Sequence, residues 1–178
     1  PVVSIDYMWM KEGGERDGDT PILVLNDRKS KWRAAIPVLK KGSEPYTIKR
    51  VSEEIRKLGY RRIIIKTDQE PAELTMKEAV KRELKEEVVF EESPVGEHQS
   101  NEVESAIKQV QGIIRTIKDA IEARYGTTIH ADNSIVPWII ESSTNLLNRG
   151  VVGEDGKTPY ERLKGKKFKS PLVEIGEG

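Results

Sequence analysis

Apolar residues recur along this chain with two periods, and the switch between them marks out the elements. Pro1–Tyr7 (PVVSIDY) is a short β-branched run carrying an acid near its end, and Lys11–Thr20 behind it is rich in glycine and charge, so a strand and then a loop are expected. Pro21–Leu25 and Trp32–Val38 are two more apolar runs on either side of the polar Asn26–Lys31. That hairpin pattern makes the opening a meander of three antiparallel strands. From Pro45 to Leu58 the apolar positions Ile48, Val51, Ile55 and Leu58 recur at three and four, with Gly59 placed to end an amphipathic helix. Arg62–Thr67 (RIIIKT) is a continuous apolar run of the kind buried on both faces, closed by Asp68. Pro71, with Leu74, Ala79, Val80 and Leu84 behind it, predicts a helix over Glu70–Glu86, and Val88–Phe90 a last short strand.

The second half is helical. Ser93–Ser100 (SPVGEHQS) reads as a loop, and Val103, Ile107, Val110, Ile114, Ile117 and Ile121 then predict one long helix to about Tyr125. Gly126–Asn133 is a connector, Ser134–Leu147 another apolar helix, Asn148–Lys157 a glycine-rich loop, and Thr158–Lys164 a short helix. Strands in a meander, followed by strands alternating with helices, imply an α/β fold: a mixed sheet flanked by helices. No internal repeat is present. The expected division is a core over residues 1–150 and a C-terminal extension over residues 151–178 with a short helix and a basic tail.

Composition narrows the possible functions. The chain has 178 residues, enough for one domain with a real core. Thirty basic residues balance thirty acidic ones, so nucleic acid would be held by a local patch and not by bulk charge. The absence of cysteine excludes a disulfide frame, a thiolate nucleophile and Cys-ligated zinc. No stretch approaches the roughly 18 apolar residues of a membrane span. The start at Pro1, without Met and directly on an apolar run, suggests a piece of a longer polyprotein.

Three acids stand out by position. Asp6 lies at the end of the first strand, Asp68 closes the buried strand, and Glu104 falls in the first turns of the long helix. Strand ends in an α/β sheet converge on one crevice, and acids meeting there repel unless a cation sits between them. Hard oxygen donors suit Mg²⁺ or Mn²⁺, and a pair of such ions supports in-line displacement at phosphorus.

With these residues in view, the chain resembles the catalytic cores of retroviral and long-terminal-repeat retrotransposon integrases, within the RNase H-like superfamily. Asp68 and Glu104 are separated by 35 residues, the interval of the D,D-35-E pattern. Lys66–Gln69 (KTDQ) is similar to the "TDN" or "SDxE" strand end, and Gln99–Val110 (QSNEVESAIKQV) to "QSNGxxERAxQxV". Thr158–Lys167 (TPYERLKGKK) looks like "TPYELWxGKKP" of copia-type elements, the nearest relatives by motif. The resemblance covers Asp6 to Lys167. It implies an RNase H-like fold, a two-metal Mg²⁺ or Mn²⁺ site on Asp6, Asp68 and Glu104, and a polynucleotidyl transferase that processes 3′ ends and joins element DNA to target DNA. It further implies DNA and a homodimer or higher oligomer as partners, no membrane, and a place in the nucleus or in the element's particle. Lys108, four residues after Glu104 on the same helical face, would contact the DNA backbone, with Gln99, Lys166 and Lys167 as further DNA-contact candidates.

Glu102 stands where the pattern has glycine, and the segment before the glutamate is one residue shorter. As third acid, Glu102 would leave 33 intervening residues, and it points about 200° round the helix from Glu104, so Glu104 is the expected ligand. Simpler roles fit the other polar and aromatic residues. His98 reads as a solvated loop residue, His130 as a capping or solvated one beside Asp132, and Trp9, Trp32 and Trp138 as core or interface aromatics with no stacking ladder. The glycines of Lys11–Thr20 lack the strand-to-helix context and lysine of a phosphate loop. Two other functions share the fold: a nuclease without strand transfer, and a domesticated core that binds DNA or a partner and has lost catalysis. The presence of all three acids argues against the second.

Overall fold

A computed structural model describes residues 1–10, 20–85, 87–91 and 101–171. Nearly all of the Lys11–Thr20 loop and all of Ser93–Ser100, with His98 and Gln99, lie outside the described residues.

Five strands form one sheet in the order β3-β2-β1-β4-β5: β1 (Val2–Trp9), β2 (Pro21–Asp27), β3 (Arg33–Pro37), β4 (Arg62–Lys66) and β5 (Val89–Phe90). The first three are antiparallel, as the hairpin pattern requires, whereas β4 joins β1 in parallel with Ser4 opposite Lys66. The helices are α1 (Pro45–Leu58), α2 (Pro71–Leu84), α3 (Asn101–Tyr125), α4 (Val136–Gly150) and α5 (Pro159–Lys164). This is the mixed sheet flanked by helices that the sequence pattern predicts.

Side chains alternate across β1, and the alternation splits the core in two. Val3, Ile5 and Tyr7 pack with Val51 and Ile55 of α1 and Met76, Val80 and Leu84 of α2. Met8, on the other face with Ile22, Val24 and Ala35, meets Ala106, Val110 and Ile114 of α3 and Ile139, Ile140 and Leu147 of α4. α3 lies against β1 and β2, and α4 against β3. Among the described residues, this second helical layer stops short of β4. Ile64 is therefore only half-buried while Ile63 and Ile65 are buried, so β4 is covered on one face and not on both.

Helix ends follow local chemistry with two adjustments. α1 stops where predicted, because Gly59 adopts the left-handed conformation (φ 69°) and its N–H caps the Arg56 carbonyl. α2 is shorter than predicted, starting at Pro71 and ending at Leu84, where the Glu87 and Val88 N–H groups turn back onto the Leu84 carbonyl. α4 is longer, running through Asn148 to Gly150. Asn148 reads in sequence as a loop former, yet it is buried: its Oδ1 accepts from the Arg33 N–H at 2.9 Å and its Nδ2 donates to the Arg33 carbonyl at 2.7 Å. The edge of β3 is thus tied to α4.

Candidate metal centre

Carboxylates gather where β1 and β4 run side by side in parallel. Asp6 shares the face of Met8, and the parallel pairing of Ser4 with Lys66 brings Asp68, two residues past the end of β4, level with it. Pro71 then starts α2 and turns its first-turn acid, Glu73, back toward the strand end. One carboxylate oxygen from each of Asp6, Asp68 and Glu73 lies within 4.8 Å of the others. Asp68 is exposed, Asp6 half-buried and Glu73 fully buried.

These acids are held by few donors. The Tyr7 N–H donates to Asp6 Oδ1 at 2.6 Å, and the Asp68 N–H donates to Glu73 Oε2 at 2.8 Å. Glu73 Oε1 is buried without a hydrogen-bond partner among the described residues. Burial pushes the Glu73 carboxyl up to about 7, an effect the Asp68 N–H opposes and the Asp6 and Asp68 carboxylates reinforce. Asp6 is raised for the same leading reason, burial, with the Tyr7 N–H opposing and Asp68 adding to the rise. Lys41 supplies nearby positive charge. Its Nζ bonds Glu70 Oε2 at 2.7 Å and lies 5.2 Å from the centroid of the Tyr7 ring, while the Tyr7 hydroxyl accepts from the Gly42 N–H. Burial disfavours the Lys41 charge, but Glu70, with Glu73 and Asp6 behind it, keeps its pKa above the ordinary value.

This donor set fits a hard divalent cation. Carboxylate oxygens crowd together, one of them desolvated and unpaired, and a cation would relieve both their repulsion and the orphaned Oε1.

Of the acids expected from sequence, the structure brings Asp6 and Asp68 together and adds Glu73. Glu104 is exposed on α3 and is not within this group. It lies on the flank of α3 that faces β1, the flank on which Gln111 and Arg115 line a shallow pocket with Met8 and Trp9. Glu102 occupies the opposite flank, 3.3 Å from Arg28 Nε and 3.9 Å from Lys31 Nζ. Lys108, Lys166 and Lys167 are exposed. Glu73 and Lys41 have no motif to announce them. A signal for Glu73 did exist: an acid in the first turn of a helix that begins three residues after a strand-end aspartate.

No protein-family profile matches the sequence, and no curated protein does. Solved structures do. The HTLV-2 integrase catalytic core domain in complex with magnesium, in a trimeric form, superposes with a TM-score of 0.62 at 18% identity over 91% of this chain and 95% of that one. The simian T-cell lymphotropic virus intasome in complex with PP2A regulatory subunit B56 gamma gives 0.61 at 17% identity, covering 98% of this chain and 57% of that one. The BIV integrase catalytic core gives 0.59 at 15% identity, covering 91% and 93%. The fold is therefore that of an integrase catalytic core, RNase H-like.

Proposed function

We propose that this chain is the catalytic core of a retroelement integrase, a polynucleotidyl transferase dependent on Mg²⁺ or Mn²⁺. The observation that carries this reading is the meeting of Asp6 and Asp68 on the adjacent parallel strands β1 and β4 at the middle of an integrase-type sheet. The 35-residue interval to Glu104, on the flank of α3 that faces β1, supports Glu104 as the acid that completes the set. When bound, two divalent ions would activate an attacking oxygen and stabilise the leaving oxygen at phosphorus. The residues of the chain do the rest. Asp6 presents its carboxylate from within β1, which runs on to Trp9 and does not end at Asp6 as the sequence pattern predicts; Asp68 presents its own from just past β4, and Glu73, bonded to the Asp68 N–H, fixes the turn that carries it. Lys108, one turn beyond Glu104, contacts the DNA backbone, as do Gln99, Lys166 and Lys167. The reactions are hydrolysis near the 3′ ends of element DNA and transfer of the freed 3′-hydroxyl to a target phosphodiester. The TPYERLKGKK segment of α5 supports a copia-type relative, and residues 151–178 act as an extension of the 1–150 core.

Nicking and strand-transfer assays on labelled duplex in Mn²⁺ test this reading. Wild type is expected to be active, with Asp68→Asn and Glu104→Gln each reducing turnover by at least about 100-fold while the fold persists. Glu102→Gln should remain active. Equal activity of Glu104→Gln and wild type, with Glu73→Gln inactive, would instead make Glu73 the third ligand. DNA binding without any nicking would favour a domesticated core.

A further inference from the structure

A second polar cleft, of about 800 Å³, opens between the β2–β3 turn, the N-terminal half of α3 and the loop leading into α5. Its cations are fixed on a rigid frame. The β2–β3 turn is anchored by the buried Asp27, whose Oδ2 accepts from the Ser30 N–H and the Tyr60 hydroxyl, each at 2.8 Å. Lys31 there takes the left-handed conformation, φ 61°. Arg33 has its backbone clamped by Asn148, so its side chain projects from a fixed point on β3.

The charges of this cleft do not balance. Five cations, Arg28, Lys29, Lys31, Arg33 and Arg162, stand in or beside it against the carboxylates of Glu102, Glu154 and Asp155. Glu102 is shared by Arg28 and Lys31, and the fork of Arg162 donates two N–H bonds to the Asp155 carboxylate. Gly153 makes room for that fork, since a Cβ there would lie 2.2 Å from the Arg162 terminal nitrogen. Arg33 has no carboxylate among the described residues, and its Nε is buried without a hydrogen-bond partner. Burial, and then the neighbouring Arg162, lower its pKa from the usual arginine value. A buried guanidinium donor left unpaired beside a second arginine is costly unless an anion completes it. Ser105 and Gln109 on α3 and Asn26 on β2 add neutral hydrogen-bonding groups around the same space.

We propose that this cleft, through Lys29, Lys31 and Arg33, binds a phosphodiester of a nucleic-acid backbone at a point separate from the carboxylate centre. An oxygen-rich anion suits a site with many donors and a free arginine edge. The nucleic-acid source rests on the function proposed above, together with the geometry of the sheet. Arg33 pairs with Asn26 and Asn26 with Ser4, so Arg33 lies on the face of Asp6, two strands across and two residues along. Standard sheet spacings put that offset at about 12 Å, which three to four nucleotides span at ~3.4 Å each.

Fluorescence anisotropy of a labelled DNA duplex, titrated in EDTA over a series of salt concentrations, tests the proposal. Lys29→Gln/Lys31→Gln should lower affinity about 5- to 10-fold and reduce the slope of log K against log salt by about 2, while Lys49→Gln, exposed on α1 in the other helical layer, binds like wild type. Adding Arg33→Gln should deepen both effects. The lysine pair lies on an exposed turn, so the test holds even if the Arg33 variant does not fold. Unchanged affinity and slope in the lysine pair would overturn the proposal and leave the integrase reading intact wherever wild type still nicks DNA in Mn²⁺. A lysine-dependent slope in a protein that never nicks would sink the integrase reading and keep this site. Thermal stabilisation by tripolyphosphate, lost in the lysine pair, with no DNA binding by wild type, would mark a free phosphoanion site and overturn the nucleic-acid assignment.

Discussion

Glu73 has no accessible surface and an orphaned Oε1, with a carboxyl pushed up to about 7 from an ordinary 4.5 by burial first and by its neighbouring acids after that. For an acid raised on folding, the native state binds the proton more tightly than the unfolded chain. Stability from this group is thus fullest at or below pH 4.5 and is lost as pH rises toward about 7. Asp6 is shifted in the same direction. The metal-free protein should therefore lose on the order of 1–3 kcal/mol between pH 5 and 8, and Glu73→Gln should flatten that decline in urea melts run in EDTA. Millimolar Mn²⁺ at pH 8 should restore the wild-type melting temperature, because a cation held only by the native state stabilises it by mass action. A wild-type profile parallel to that of Glu73→Gln would remove Glu73 from the coupled cluster. Asp6 and Asp68 are legible in sequence because each is an acid in or directly after an apolar strand run, although β1 continues past Asp6 to Trp9. Glu73 is not, because an acid in a first helical turn is ordinarily explained by the helix dipole, and only the fold reveals that it points inward.

Among the elements, those with strong periodicity and local caps are the ones the sequence specifies most fully. α5 shows why. The Thr158 hydroxyl accepts from the Glu161 N–H at 3.1 Å, the Glu161 carboxylate accepts from the Thr158 N–H at 2.8 Å, and Gly165 closes the helix at φ 70°. This reciprocal box is written in four consecutive letters, TPYE. Thr158→Ala should cost about 1 kcal/mol, a fall of roughly 2–4 °C in Tm, whereas Thr158→Ser should cost less. Equal melting of the alanine variant and wild type would show that tertiary packing of α5 outweighs its cap. The end of α4 behaves differently, since Asn148 is kept helical by a partner 115 residues away, a contact no local window contains. The half-open face of β4 is illegible for the same reason. RIIIK reads as buried on both sides, and what exposes Ile64 is the placement of α3 and α4 over the other strands.

At the scale of the whole molecule, a surface feature remains that the two cores do not absorb. Near the start of α4 an apolar cleft of about 500 Å³ runs between Val136, Pro137 and Ile140 on one side and Val38, Leu39 and Tyr46 on the other. Beside it Trp138 is 69% exposed, Leu39 88% and Tyr46 51%, large apolar side chains left in water together. Such a patch marks an interaction surface, and homo-oligomers usually close by two-fold symmetry. On the proposed function, joining two DNA ends also asks for more than one active site. Self-association through the N-terminal end of α4 follows, where it meets the start of α1. Light scattering from about 5 to 200 μM should show a rise in mass for wild type, and Trp138→Glu should remain monomeric throughout while keeping the wild-type circular dichroism. The charge acts only at the surface, since Trp138 contributes nothing to either buried core. A wild-type protein monomeric across the whole range, or a Trp138→Glu variant that associates as strongly, would place any assembly contact elsewhere on the fold.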